Sequence, residues 1–182
     1  MVFGVCLTSI LLAAATGFRS QFHAHPNDES RPFLTRFPFV PARRSRDLQL
    51  ASDQQTTEDW WEKKRGDYDL YVSELVLEET AAGDPAMAAA RHAALAGLPQ
   101  LAQTPAVDAL AARILEQGII PPTAAPDAEH IALAAVHAMN FLLTWNCKHI
   151  ANALHRRRLE AVCAAAGFAC PIICTPQSLI AI

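Results

Sequence analysis

The residues of this sequence that could do chemistry are two carboxylates, one amide and two hydroxyls, which follow predicted strands or lie on the helices that adjoin them in sequence: Glu79, Asp127, Asn146, Ser73 and Thr144. In open parallel sheets, ligands bind outside the carboxyl ends of the strands, so side chains that follow strands, or lie on neighbouring helices, can meet there. Carboxylates gathered at such an edge could hold Mg²⁺ or Mn²⁺, which prefer oxygen ligands and keep several water molecules. A cation held in this way can orient a water molecule and stabilise charge on a phosphate.

Each of these positions also has an interpretation that needs no chemistry. An acid at a helix start, such as Asp127, is favoured by the helix dipole alone. Glu79 is, on local evidence, an ordinary solvated helix acid, and Asn146 can serve as a turn residue. The sequence shows no acid partner for three histidines, which are therefore predicted to be structural or exposed rather than catalytic: His130, His137 and His149.

Apolar periodicity and helix-capping residues divide the chain after residue 45 into alternating helices and short strands. Helices are predicted over residues 52–64, 74–82, 84–96, 104–116, 126–139 and 151–166, and a short terminal helix begins at Pro176. Strands are predicted over residues 68–73, 98–103, 141–143 and 171–175. Strands separated by helices of about 10–15 residues are typical of βαβ units, and so predict an α/β domain with a parallel sheet.

Residues 1–40 differ from the rest of the chain in composition. They open with an apolar run of about 17 residues, marginal for a membrane span, and continue with a proline-containing stretch that has no periodicity. Because no Lys or Arg precedes the apolar run, a secretory signal is disfavoured. We expect an atypical segment, apolar and then loop or disorder, before a domain over residues 41–182 of a cytoplasmic protein with no membrane partner. A secreted or membrane-anchored protein is the alternative.

The overall composition fits one globular domain. The chain has 182 residues, 52% of them hydrophobic and 18% charged, which is enough for a substantial core. A formal net charge of −3 supplies no overall attraction for a polyanion, so nucleic acid would need a local patch such as the basic run His155–Arg158. Five cysteines without a CxxC pair disfavour a disulfide framework or a structural zinc site.

Three segments of the chain resemble the PIN-domain family in their order and spacing, and in particular the VapC-like toxins of bacterial toxin–antitoxin pairs. They are YVSELVLEETAAGDP at 71–85, PDAEHIALAAVHAMNFLLTWNCKHIAN at 126–152 and CPIICTPQSL at 170–179. The segment PARRSRDLQLASDQQTTEDWW at 41–61 is also similar to the part that leads into the first helix of this subgroup. The resemblance implies a three-layer α/β/α fold around a small parallel sheet.

The resemblance also implies a metal-dependent ribonuclease that hydrolyses RNA phosphodiester bonds with a metal-activated water. The family's characteristic acids fall on Glu79 and Asp127, and a further polar position, which is Asp in many members, falls on Asn146. These three residues would bind Mg²⁺ or Mn²⁺, and Thr144 matches the Thr or Ser that supports the site. The implied partners are an RNA substrate and a cognate antitoxin protein, and a homodimer is also compatible with the family.

The N-terminal segment departs from the family pattern. PIN domains begin with a central strand that carries an essential Asp or Glu followed by Thr-Ser or Thr-Asn. The nearest candidate here is VCLTSI at 5–10, which has Leu7 at the acidic position. We therefore expect the first central strand to be absent or altered, through a misassigned start or a frameshift near residue 40. The alternative function is a catalytically inactive PIN-like module that binds RNA or a partner.

Overall fold

The computed structural model describes residues 48–180 of the protein. This part contains seven α-helices and four short β-strands. The helices are α1 (Leu48–Lys63), α2 (Glu74–Ala81), α3 (Pro85–Leu95), α4 (Pro105–Glu116), α5 (Ala125–Val136), α6 (Arg156–Ala165) and α7 (Pro176–Ile180). The strands are β1 (Val72–Ser73), β2 (Gln100–Leu101), β3 (Phe141–Leu143) and β4 (Ile172–Cys174). The mixed α/β class is as predicted. The predictions for residues 1–40, and the domain boundary at residue 41, lie outside the described residues.

Three helices begin directly after a capping side chain, and the sequence predicts the helix starts at Asp84 and Thr104. The capping residues of α2, α3 and α4 are Ser73, Asp84 and Thr104, respectively. Each capping side chain accepts a hydrogen bond from a backbone N–H group in the first turn of its helix. Pro85 and Pro105 follow two of these caps, at positions where a helix needs no N–H donor. These helix starts are therefore fixed by interactions within a few residues of sequence.

The strands pair in parallel but form two separate sheets. β1 pairs with β2, with Val72 opposite Gln100, and β3 pairs with β4, with Leu142 opposite Ile173. Instead of one small sheet, the part of the chain that is described thus contains two two-stranded sheets. β1 and β2 are also shorter than predicted, because only two residue pairs of the two segments come into register.

The first strand of each pair has one edge directed away from its partner. The N–H of Val72 donates to the carbonyl of Pro99, and the N–H of Thr144 donates to the carbonyl of Cys174. Successive residues of a strand direct their N–H and C=O groups to opposite edges. The backbone groups of Ser73 and Leu143 therefore face away from β2 and β4. Neither edge is paired with a strand among residues 48–180.

Helix α5 is the centre of the core. Its residues from Asp127 to Ala135 are buried with the single exception of Glu129, and α5 packs along α4. Trp60 in α1 is fully buried beside Trp61, so both tryptophans belong to the core. No helix within residues 48–180 is both long enough and apolar enough to span a membrane.

The helix predicted over residues 151–166 is shorter than expected at its N-terminal end. It begins at Arg156, and residues before it form turns. The side chain of Asn152 accepts the N–H of Leu154 at 3.0 Å and donates to the carbonyl of Lys148 at 3.0 Å. Because Asn side chains that bond to local backbone compete with helix hydrogen bonds, the turns persist up to the start of α6.

Candidate active site

The four predicted site residues come from three places in the fold. Glu79 lies in the second half of α2, and Asp127 lies in the first turn of α5. Thr144 and Asn146 follow the last residue of β3. Ser73, which ends β1, is buried and uses its hydroxyl to cap α2, so its observed role is structural.

The end of α2 that carries Glu79 is fixed by a buried arginine of α3. Arg91 donates from Nε to the carbonyl of Thr80 at 2.9 Å and from Nη2 to the carbonyl of Ala82 at 2.6 Å. These carbonyls lie at the C-terminal end of α2, where helix carbonyls lack internal partners and where a cation is favoured by the dipole. Arg91 therefore holds the turn from which the Glu79 side chain projects.

Glu79 meets a histidine of α5. The Nε2 atom of His130 lies 3.2 Å from Oε1 of Glu79, although the two residues are 51 positions apart in sequence. His130 is completely buried, whereas one third of the Glu79 side chain is exposed. The prediction that His130 has no acid partner is therefore wrong, because the partner comes from another helix.

Asp127 is a buried carboxylate that faces several polar groups. Burial raises the pKa of Asp127, and the negative charge of Glu79 adds to this effect. A hydrogen bond from the amide of Asn146 and the nearby His149 and His130 act in the opposite direction. Asp127 is thus within electrostatic reach of Glu79, and we call these two acids, together with His130 and Asn146, the cluster.

Thr144 and Asn146 build the loop that approaches Asp127. The Thr144 hydroxyl is buried and accepts the N–H of Asn146 at 3.0 Å. The Oδ1 atom of Asn146 accepts the N–H of His149 at 3.1 Å, which leaves its amide group to donate to Asp127. Thr144 therefore positions Asn146, whose side chain lowers the pKa of the neighbouring Asp127.

The raised pKa of Asp127 predicts a pH-dependent stability difference between the unaltered chain and Asp127→Asn. Because the folded protein binds this proton more tightly than the unfolded chain, the carboxyl favours folding below its ordinary pKa of 3.8 and loses that contribution as the pH rises through the raised value. Asn does not titrate, so Asp127→Asn should be the more stable protein at about pH 7, and the gap should narrow towards about pH 3. Urea unfolding at both pH values measures the difference in unfolding free energy between the two proteins. A difference that is independent of pH would contradict the raised pKa of Asp127.

The donors that this cluster offers to a cation are the carboxylates of Glu79 and Asp127 and the amide oxygen of Asn146. All are oxygen donors, the type that suits Mg²⁺ or Mn²⁺. The Oε2 atom of Glu79 is buried and has no hydrogen-bond partner among the described residues. Within residues 48–180, no three His, Cys, Asp or Glu side chains lie close enough together to hold a metal ion. The described donor set therefore rests on two carboxylates.

Sequence reasoning missed one member of the cluster, His130. Its only signal was its position, one helical turn after Asp127 in a run that is otherwise almost entirely apolar. The other two histidines differ from it. His137 contacts the carbonyl of Ala102 at 2.8 Å, and His149 lies within electrostatic range of Asp127.

Comparison of the chain with models of known protein families, with characterised proteins and with solved structures found no match.

Proposed function

We propose that this protein is a metal-dependent ribonuclease of the PIN-domain type, similar to VapC-like toxins, and that it hydrolyses RNA phosphodiester bonds. The observation that carries the proposal is the convergence of two acids from separate helices, Glu79 and Asp127, beside a polar loop that follows a parallel strand. Each acid has its own supporting side chain, His130 for the first and Asn146 for the second. Acids that serve only as solvated surface groups do not need such partners.

The proposed fold is the three-layer PIN arrangement with its first central strand absent or altered. The outward edges of β1 and β3 are unpaired among the described residues. They support this proposal because a further parallel strand lying between them could form hydrogen bonds with both edges. A central strand in that position would join the two pairs into one sheet.

A divalent cation fits the chemistry of the donors. The buried Oε2 of Glu79, which has no hydrogen-bond partner among the described residues, and the carboxylate of Asp127 would hold it. When bound, the cation would supply charge stabilisation and an oriented water molecule. The oxygen of Asn146 already accepts the N–H of His149, which leaves its amide nitrogen available to Asp127. The role of Asn146 as a direct ligand stays a prediction.

Exposed basic residues lie close to this cluster in sequence and would receive RNA phosphates. Lys148 follows Asn146 in the loop, and Arg156 and Arg157 open α6. The Nε atom of Arg156 forms an ion pair with Oε1 of Glu160 at 3.0 Å, which partly neutralises its charge. Because the chain is acidic overall, binding should depend on these local charges and weaken as salt rises. The proposed protein partner is a cognate antitoxin.

The proposal is tested by RNA cleavage with the full chain and Mn²⁺ or Mg²⁺, with EDTA added in a parallel reaction. Cleavage that requires the cation and stops with EDTA supports a metal-dependent nuclease. Calorimetric titration with Mn²⁺ measures binding independently of cleavage. If the folded chain shows neither Mn²⁺ binding nor RNA cleavage, the proposal is overturned.

The second candidate is a non-catalytic PIN-like module that binds RNA or a protein partner. The observation that favours it is the donor set of residues 48–180, which holds two carboxylates and has an amide at the position where many PIN domains carry a third acid. RNA retention in a gel-shift assay, without cleavage under any divalent cation, would distinguish this function from the first.

A further inference from the structure

His130 is a buried histidine of which only one nitrogen has a partner. Nε2 lies 3.2 Å from the Glu79 carboxylate, while Nδ1 is buried and has no hydrogen-bond partner among the described residues. A buried N–H donor without an acceptor costs free energy, and a ring nitrogen without a proton is the less costly atom to leave alone. The geometry therefore favours the tautomer in which Nε2 carries the proton and donates to Glu79.

The two oxygens of Glu79 are correspondingly different. Oε1 accepts from His130, and Oε2 is buried without a partner among the described residues. A carboxylate oxygen withdrawn from water and left unpaired is unfavourable unless a ligand completes it. One oxygen is thus anchored by His130, and the other is left without a partner among the described residues.

We infer that His130 is a positioning residue that anchors Oε1 of Glu79 so that Oε2 is the oxygen offered to the divalent cation. This inference rests on the proposed function. Carboxylates that bind metals are in turn hydrogen-bonded by outer partners, and loss of such a partner costs about 10–100-fold in metal affinity. Because His130 cannot reach solvent and lies one turn from Asp127 on α5, it couples the orientation of both acids to one helix.

If the hydrogen bond between His130 and Glu79 only stabilised the packing of α2 against α5, a different pattern of effects would be expected. In that case, losing the hydrogen bond would lower stability but would leave the affinity of the folded protein for metal unchanged. The distinction needs one variant that keeps the donor and one that removes it. His130→Gln places an amide nitrogen near the position of Nε2, and His130→Leu fills a similar volume without a donor.

The first experiment measures Mn²⁺ affinity by calorimetry with the full chain, with thermal unfolding followed in parallel. His130→Leu should bind Mn²⁺ about 10–100-fold more weakly, and His130→Gln should recover most of the lost affinity. His137→Leu is the matched control, because it removes another histidine contact between elements, that with Ala102, away from the cluster. Its affinity should equal that of the unaltered chain. Unchanged affinity in His130→Leu, or equal loss in the Leu and Gln variants, would overturn the inference.

The second experiment separates failure of the inference from failure of the proposed function. Nitrogen-15 NMR of the histidine rings in the metal-free chain should show a protonated Nε2 on His130, and its signal should shift in Glu79→Gln. A protonated Nδ1 instead overturns the positioning role whatever the metal does. If the Nε2 signal responds as expected but the unaltered chain binds no Mn²⁺, the contact stands while the proposed function, and with it the role of Oε2, is overturned.

Discussion

Replacement of Asp127 by Ala is expected to weaken Mn²⁺ binding by at least about 100-fold and to abolish cation-dependent RNA cleavage. The physical reason is that Asp127 is one of only two carboxylates in the described cluster, so its removal halves the negative charge available to a divalent ion. Removing an outer partner of a metal ligand already costs about 10–100-fold, and removing a ligand itself should cost no less. Calorimetry and cleavage of a labelled RNA measure the two losses.

The chain supplies a matched control for this experiment. Asp108 occupies the first turn of α4, as Asp127 occupies the first turn of α5, but it is exposed and bonds to Gln103. Asp108→Ala should therefore retain both binding and cleavage. Equal activity of Asp127→Ala and the unaltered chain would remove Asp127 from the mechanism, and equal loss in the two variants would point to a general effect of helix-start acids.

Replacement of Trp60 by Ala is expected to cost about 3–5 kcal/mol of unfolding free energy. Trp60 is fully buried, and its ring lies 6.4 Å from that of Trp61 and 5.9 Å from that of Tyr68. Tyr68 in turn packs edge-on against Phe141 of β3, at 6.0 Å. Removing the indole would therefore open a cavity between α1 and Tyr68, the residue that packs against β3.

Trp60→Phe separates the loss of packing from the loss of the indole nitrogen. The Nε1 atom of Trp60 is buried and has no hydrogen-bond partner among the described residues, so its removal should cost little in itself. The Phe variant keeps an aromatic ring and should lose clearly less stability than the Ala variant. Urea unfolding of both variants checks this order, and equal losses would show that ring packing is not the source of the effect.

Local signals were sufficient to predict most helix and strand positions. Asp84 followed by Pro85 predicted the start of α3, and the apolar segment at Phe141–Leu143 is observed as β3. The end of α5 was placed too late, because Ala138 adopts a left-handed backbone with φ of 54° and the helix stops at Val136. Ala gives no sequence signal for that conformation, whereas Gly or Asn would have given one.

For the candidate site, too, local sequence predicted some features and not others. Position relative to strands selected five candidates, Ser73 among them, and the resemblance reduced these to Glu79, Asp127, Thr144 and Asn146. These four residues lie in or beside the helices and strands that were predicted for them. Whether they act in catalysis stays a prediction. Their supporting contacts could not be predicted, since His130 and Arg91 act on residues of a different helix, and no local pattern reports such a contact.

The sequence by itself determined most helix starts, which residues follow strands and that the class is α/β, because capping, turn formation and apolar periodicity act over a few residues. The starts of α1 at Leu48 and of α6 at Arg156 were not among them. Only the tertiary structure decided that the strands form two separate parallel pairs, and that His130 is fully buried against Glu79. These features depend on contacts between segments far apart in the chain. The energy of such contacts depends on which surfaces meet in the folded protein, and that information is not carried by any short stretch of residues.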